Sequence, residues 1–250
     1  MDPQEYSLMF HVESTHWWYI GMEKITRAFL KKMDVSASPR SVLDAGCGTG
    51  SGMSTYLVDY GSVVGVDISP IALEFCRKRG LASLALASVT EIPFPAESFD
   101  LVTSFDVLYE QAVPSDTVAI DEFFRVLRPN GYILLRLPAY DWLRGQHDVN
   151  IHTARRYTIS KVKKLLSESG FDLLHISYAN TLLFPLALTK RLLERIFPPT
   201  SPSSDLSVKI GVFNDVFKKI LSSEAPLAAS MRLPFGLSVI ALGKKQSGYE

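Results

Sequence analysis

The chain has 250 residues with 26 basic and 26 acidic side chains, so its net charge is zero and no basic field argues for a nucleic-acid partner. Hydrophobic residues make up 47% and charged residues 21%, ordinary globular values, and no uninterrupted apolar run of ~18 residues suggests a membrane span. Two cysteines, Cys47 and Cys76, are too few for a disulfide framework or a cysteine-based metal site, and the N-terminus, with Asp2 and Glu5, lacks a basic-then-apolar leader pattern, so a cytoplasmic setting and no metal are expected.

In chain order, residues 1–20 gather Tyr6, Phe10, His16, Trp17, Trp18 and Tyr19. A helix is expected over 20–33, broken by Ser36 to Pro39. Then follow a strand over 41–45, a helix over 51–60, a strand over 62–67, a helix over 70–79 and a strand over 83–87. Ser69 and Pro70 read as the cap and first turn of the second of these helices. Pro93 and Pro95 bend the chain before a strand over 99–105. A helix over 116–127 stops at the turn signal Pro129-Asn130-Gly131, and a strand over 131–137 follows. A helix over 158–169 ends at Gly170, with further strands over 171–178 and 236–243. The alternation predicts an α/β fold: a doubly wound, mostly parallel, seven-stranded Rossmann-like sheet. One domain is expected over 1–250, with an N-terminal lid and helix (1–40), a ligand-binding core (41–178), a helical cap insertion (179–235) and a last strand and tail (236–250).

The chemistry concentrates in SVLDAGCGTG, residues 41–50, and VVGVDIS, residues 63–69. An apolar strand ends in Asp44, turns through Gly46, Gly48 and Gly50, and a second apolar strand ends in Asp67. Glycines let a backbone turn tightly and approach a ligand. The helix that follows turns its first N–H groups toward the ligand's anionic end. An acid ending the second strand can accept bonds from both ribose hydroxyls. The layout suits an adenosine-containing ligand. The glycines recur at every second position instead of in the G-x-G-x-x-G spacing of dinucleotide enzymes, which disfavours a nucleotide-dependent oxidoreductase.

With the preceding Leu43-Asp44-Ala45, this string closely resembles the first motif of the class I S-adenosylmethionine (SAM)-dependent methyltransferases. IPFPAESFDLV and FFRVLRPNGYILL resemble later stretches of the same family, so the likeness covers 41–137. A looser likeness to a type 11-like subgroup of bacterial small-molecule methyltransferases lies in His16-Trp17-Trp18, in the polar segment after residue 137 and in Leu182-Leu183-Phe184-Pro185. The resemblance implies SAM as cofactor and S-adenosylhomocysteine as product. It places Asp44 near the cofactor's amino-acid end and Asp67 on its ribose, with Gly46, Cys47, Gly48, Gly50 and Ile68 around them. Ser88 and Val89 follow the third strand where the family often has an acid for the adenine, and Phe105 ends the fourth strand near the methyl group. The family usually joins its last two strands by a tight hairpin; the 179–235 insertion departs from that.

Asp106 is read either as a site residue or as a helix cap. Tyr19 is the member of the aromatic cluster whose hydroxyl could reach the cofactor carboxylate; the cluster serves as a lid or as an apolar brace. An oxygen acceptor would gain from a base, and His147, His152 and His16 are the candidates. Residues 182–197 are apolar with Lys190, Arg191 and Arg195, which suits a cap over an apolar acceptor, a membrane-surface contact, or a buried helix or dimer face. A loop is expected over 198–205. The expected activity is methyl transfer to an oxygen or nitrogen of a small, apolar or lipid-linked molecule. The rival is a non-catalytic SAM-binding partner or sensor.

Overall fold

The computed structural model describes residues 3–34, 40–145, 148, 152–196, 211 and 213–246. Its centre is β1, Arg40–Ala45, where Val42, Leu43, Asp44 and Ala45 are all buried, as expected of a strand covered on both faces. β2 (Gly61–Asp67) and β3 (Leu84–Leu86) lie on one side of it, and β4 (Phe99–Phe105) and β5 (Leu127–Pro138) on the other, all parallel. β7 (Ser238–Lys245) slots between β5 and β6 (Phe171–Ala179) and runs antiparallel to both. The order β3-β2-β1-β4-β5-β7-β6 makes the expected seven-stranded, mostly parallel sheet. The chain reverses its direction of winding between β1 and β4, so a crevice is expected at the carboxyl ends of those two strands.

The helices follow the apolar spacing of their sequences. α2, Trp17–Leu30, buries Met22, Ile25, Phe29 and Leu30 on one stripe. Each such side chain stabilises the fold by about 1.5–3 kcal/mol. α4 (Pro70–Lys78), α5 (Asp116–Val126) and α6 (Ile159–Glu168) begin on Ser69, Ser115 and Thr158, whose hydroxyls accept from the backbone N–H three residues on. An additional helix, α1 (Pro3–Val12), precedes α2.

Three expectations change in detail. The helix expected over 51–60 is a short α3, Ser51–Thr55, followed by a 3-10 turn, Leu57–Tyr60, because Tyr56 takes an extended φ of −139°. The turn at Pro129-Asn130-Gly131 lies inside β5. There the pairing jumps from Phe99↔Leu127 to Leu101↔Tyr132, and Asn130, at φ +66°, takes up the irregularity. No helix follows Asp106, so it is not a cap: it has φ +56° and is bound to Arg136.

The 179–235 segment carries α7 (Phe184–Ile196), α8 (Phe213–Ser223) and α9 (Ala225–Ser230). α8 lies against α2 so closely that a Cβ on Gly21 would fall 2.5 Å from Leu221 Cγ. The Asn214 side chain clips the two together, accepting from Trp17 N at 2.9 Å and donating to the Thr15 carbonyl at 3.0 Å. Trp17 and Phe217 meet edge to face at 5.6 Å. The aromatic N-terminus and the insertion thus share one wall. The loop expected over 198–205 lies outside the described residues. Among the described residues, no helix is long and apolar enough to cross a membrane.

Candidate cofactor and acceptor site

The glycine loop after β1 is held by backbone conformation and by one carboxylate. Gly46, Gly48 and Gly50 have φ of +83°, +54° and +78°, a region closed to most side chains. A Cβ at Gly46 would sit 2.2 Å from Val107 Cγ2, and one at Gly50 2.5 Å from Leu81 Cδ1, whereas Gly48 faces only Met9 Cε at 3.3 Å. Asp67 accepts from Gly48 N at 2.8 Å through one oxygen and from Ser69 N at 2.9 Å through the other. Burial raises its pKa, against the lowering effect of these amide bonds.

A second clamp comes from the N-terminus. Thr49 Oγ1 donates to both oxygens of Glu13 at 2.7 and 2.8 Å, and Arg79 pairs with the same carboxylate. Arg79 Nε also donates to the Thr49 carbonyl at 2.9 Å, and its guanidinium lies 4.5 Å from the Phe10 ring. Phe10 in turn packs on Phe75 of α4 at 4.9 Å. The end of α1 is therefore tied to the glycine loop.

Above these elements lies a cavity of about 900 Å3. Its volume is at the upper end for small-molecule sites, which run to roughly 1,000 Å3. Asp44, Gly46, Cys47 and Gly48 line it from the loop, Asp67 and Ile68 from the end of β2, and Ser88 and Val89 from the end of β3. Phe105, Asp106 and Arg136 line it from the ends of β4 and β5; Tyr6, Met9, His16, Trp18 and Tyr19 close it from the N-terminus. The same cavity continues past Tyr109, Glu110 and the bidentate Asp148–Arg156 pair to Leu183, Leu186, Ala187 and Phe217 of the insertion.

The cofactor positions expected from the sequence therefore come together, with one difference. Gly50 does not line the cavity; it precedes α3 and turns the chain against Cys76 and Leu81. Cys47 and Cys76 are free thiols 3.9 Å apart behind the loop. The Ser88 hydroxyl already bonds Thr90 Oγ1 at 2.7 Å.

The histidines separate. His16 caps α2, its Nδ1 accepting from Trp18 N at 3.3 Å, and its buried Nε2 has no partner among the described residues. Burial lowers its pKa, so it is neutral, and an accepting Nδ1 leaves the proton on Nε2 as a donor. His152 is exposed, at φ +53°, and does not line the cavity. His147 lies outside the described residues.

The sequence reading missed Glu13, Tyr56, Glu110 and Arg136. Burial raises the Glu110 carboxyl, which lines the acceptor half. Arg136 did leave a signal: it is a lone charge inside the run Tyr132-Ile133-Leu134-Leu135-Arg136-Leu137, where a buried cation needs a partner. Glu13 left none, because its partner Thr49 is distant in sequence.

Comparison with known proteins agrees with this architecture. The methyltransferase domain family matches residues 43–135. A fatty-acid O-methyltransferase of Mycolicibacterium smegmatis is 31% identical over 131 residues, covering 48% of this chain and 47% of that protein. A demethylmenaquinone methyltransferase of Symbiobacterium thermophilum is 33% identical over 138 residues, 51% of this chain and 52% of that protein. The matches thus span about half the length of these relatives. The structure of a SAM-dependent methyltransferase of Thermotoga maritima superposes with a TM-score of 0.60 at 16% identity, covering 97% of this chain and 95% of that one, and so shares the fold. The family match lies across β1 to β5 and the solved neighbour shares the fold, so residues 43–135 are similar to the methyltransferase domain family and the whole chain has the fold of a SAM-dependent methyltransferase.

Proposed function

We propose that the chain transfers the methyl group of SAM to an oxygen or nitrogen of a small, apolar acceptor. The observation that carries this reading is the continuity of the cavity, from the glycine loop and Asp67 at one end to Leu183, Leu186 and Ala187 at the other. The residues present fit the cofactor. Each Asp67 oxygen accepts one amide bond and keeps capacity for a ribose hydroxyl. Ile68 and Val89 give apolar surface for a base, and Ser88 offers a hydroxyl beside them. The names of the fatty-acid and demethylmenaquinone enzymes point to apolar acceptors, and the first of them to an oxygen.

When bound, SAM supplies a methyl group already activated on a sulfonium, so the protein's contribution is alignment and exclusion of water. Trp18, Tyr19 and Met9 cover the loop, and Phe105 stands where β4 meets the acceptor half. For a hydroxyl acceptor, Glu110 is the carboxyl lining the acceptor half that is suited to take a proton, since burial raises its pKa above the ordinary carboxylate value. Delivery from a lipid surface suits α7, where Leu186 and Leu193 are 54% and 51% exposed.

Incubation with methyl-labelled SAM and a panel of long-chain fatty acids, isoprenoid quinols and amines should move label into an organic-extractable product. Tight SAM binding with no transfer to any of them would favour the sensor instead.

Two substitutions test the two halves. Gly48→Val meets only the flexible end of Met9, so the fold should survive. The forced left-handed backbone and the added bulk should lower S-adenosylhomocysteine affinity at least about tenfold; a well-folded variant with normal affinity in calorimetry would remove Gly48 from the binding surface. Ala187→Trp fills the apolar half from α7. Turnover should fall about tenfold or more while cofactor affinity changes less than about twofold. Equal loss of both would place α7 outside the acceptor pocket.

A further inference from the structure

Asn180 is a buried polar side chain whose hydrogen-bonding groups are all unused. It lines the cavity just beyond the end of β6, it is 0% exposed, and neither its Oδ1 nor its Nδ2 has a partner among the described residues. An amide left unpaired away from water costs free energy and calls for an explanation. Backbone conformation does not supply one. Asn180 has φ +60°, but glycine would serve a left-handed position without burying an amide.

The turn that carries this side chain is fixed from two sides. Glu224, 1% exposed between α8 and α9, accepts through Oε2 from Thr181 N at 2.8 Å and from Leu182 N at 3.0 Å. The Thr181 hydroxyl donates to the Phe235 carbonyl, and a Cβ on Gly236 would lie 2.3 Å from the Ala179 carbonyl oxygen. The insertion thus sets the carboxamide in place before any ligand arrives, as a specificity group requires. Ala179 pairs with Ser238 across the sheet, and Leu183, Leu237 and Ser238 line the same cavity.

The unused groups select their partner by chemistry. A carboxamide presents donors on Nδ2 and an acceptor on Oδ1. A hydroxyl both accepts and donates, so it can satisfy the two together. A carboxylate only accepts and would leave Oδ1 bare, and an ammonium only donates and would leave Nδ2 bare. The cations lining this half of the cavity do not call for an anion: Lys190 and Arg191 pair with Glu194, and Arg156 pairs with Asp148.

We propose that Asn180 binds an uncharged hydroxyl group of the acceptor, and so makes the protein specific for alcohols or phenols over carboxylates and amines of the same apolar frame. This deepens the methyltransferase reading and rests on it.

The test is calorimetry on the protein saturated with S-adenosylhomocysteine, using naphthol, methylnaphthalene, naphthoate and aminomethylnaphthalene, all substituted at the same ring carbon. The wild-type protein should bind naphthol about tenfold or more tightly than each of the others. Asn180→Gly keeps the left-handed backbone and removes the carboxamide. It should weaken naphthol about tenfold, and it should change the affinities for methylnaphthalene and S-adenosylhomocysteine less than about twofold. Should that variant not fold, the isosteric Asn180→Asp should turn the preference toward the amine, because a carboxylate only accepts. A wild-type preference for naphthoate or for the amine would overturn the proposal, and so would equal affinity for naphthol and methylnaphthalene. Equal weakening of those two in Asn180→Gly would overturn it as well, by making Asn180 part of the pocket wall alone. Binding of none of the four probes by the saturated wild type would instead count against the apolar-acceptor reading itself.

Discussion

Replacing Asp67 by alanine should weaken SAM binding by about 2–4 kcal/mol, or roughly 30- to 1,000-fold, because the buried carboxylate orders the loop and, on the proposed reading, would also accept from the ribose. The structure raises the expected loss above that of one ribose contact. Both oxygens already hold amides, Gly48 N and Ser69 N, which alanine would leave without partners. The free protein should also lose about 1–2 kcal/mol of stability, less than two charge-assisted bonds would suggest, since removal relieves the cost of burying the charge. Calorimetry and thermal unfolding of Asp67→Ala check both. If the loop melts while affinity holds, Asp67 is a loop staple alone. If affinity falls with unchanged stability, its contact is with ligand alone.

Asp44→Asn should do the opposite to the free protein and the same to the complex. Burial pushes the Asp44 carboxyl up to about 6 from 3.8, although Thr103 Oγ1 donates to it at 2.8 Å and Arg136 stands near. Between those two values the folded chain holds a proton that the unfolded chain releases. Folding stability therefore rises as pH falls through 6 and levels off below 3.8. At neutral pH the ionised group costs about 3 kcal/mol at most. Asparagine keeps an oxygen for Thr103 and carries no charge, so the cofactor-free variant should be about 2–3 kcal/mol more stable at pH 7 and should lose that segment of pH dependence. Its affinity for SAM should fall about tenfold or more, and wild-type affinity should rise between pH 5 and 7.5 as Asp44 ionises. Urea unfolding at pH 5 and 7.5 with and without cofactor decides the matter. A destabilised Asp44→Asn at pH 7 would show that the charge supports the fold through Arg136 instead of burdening it.

The parts of this molecule that could be read from the sequence are those whose physics is local. Strands appeared as apolar runs, and helices were bounded by caps and by glycine and proline breakers. Ser69 and Pro70 marked a helix start where the hydroxyl accepts from Ala72 N. The glycine loop was legible because positive φ restricts residue choice at the position itself, as at Gly46 and Gly48. Asp67 was legible because a strand carries its last side chain to a fixed place beside that loop.

What the sequence could not determine are pairings between distant segments, where each residue suits several partners. Glu13 was one acid among many until α1 set it on Thr49 and Arg79. His16 looked like a base and became a helix cap because the chain enters α2 in an extended conformation there. Asp106 suited either a site residue or a cap, and it became a cavity residue paired with Arg136, since β5 places a cation opposite the end of β4 and the backbone turns left-handed there. The insertion was visible as a length of chain, but its contact with α2 depended on a glycine, Gly21, meeting Leu221. By itself the sequence determined the strands, most of the helices between them and the cofactor loop. The tertiary structure alone decided which charges were buried together and which edges were left for a ligand, because burial and partner geometry exist only once distant segments share one cavity.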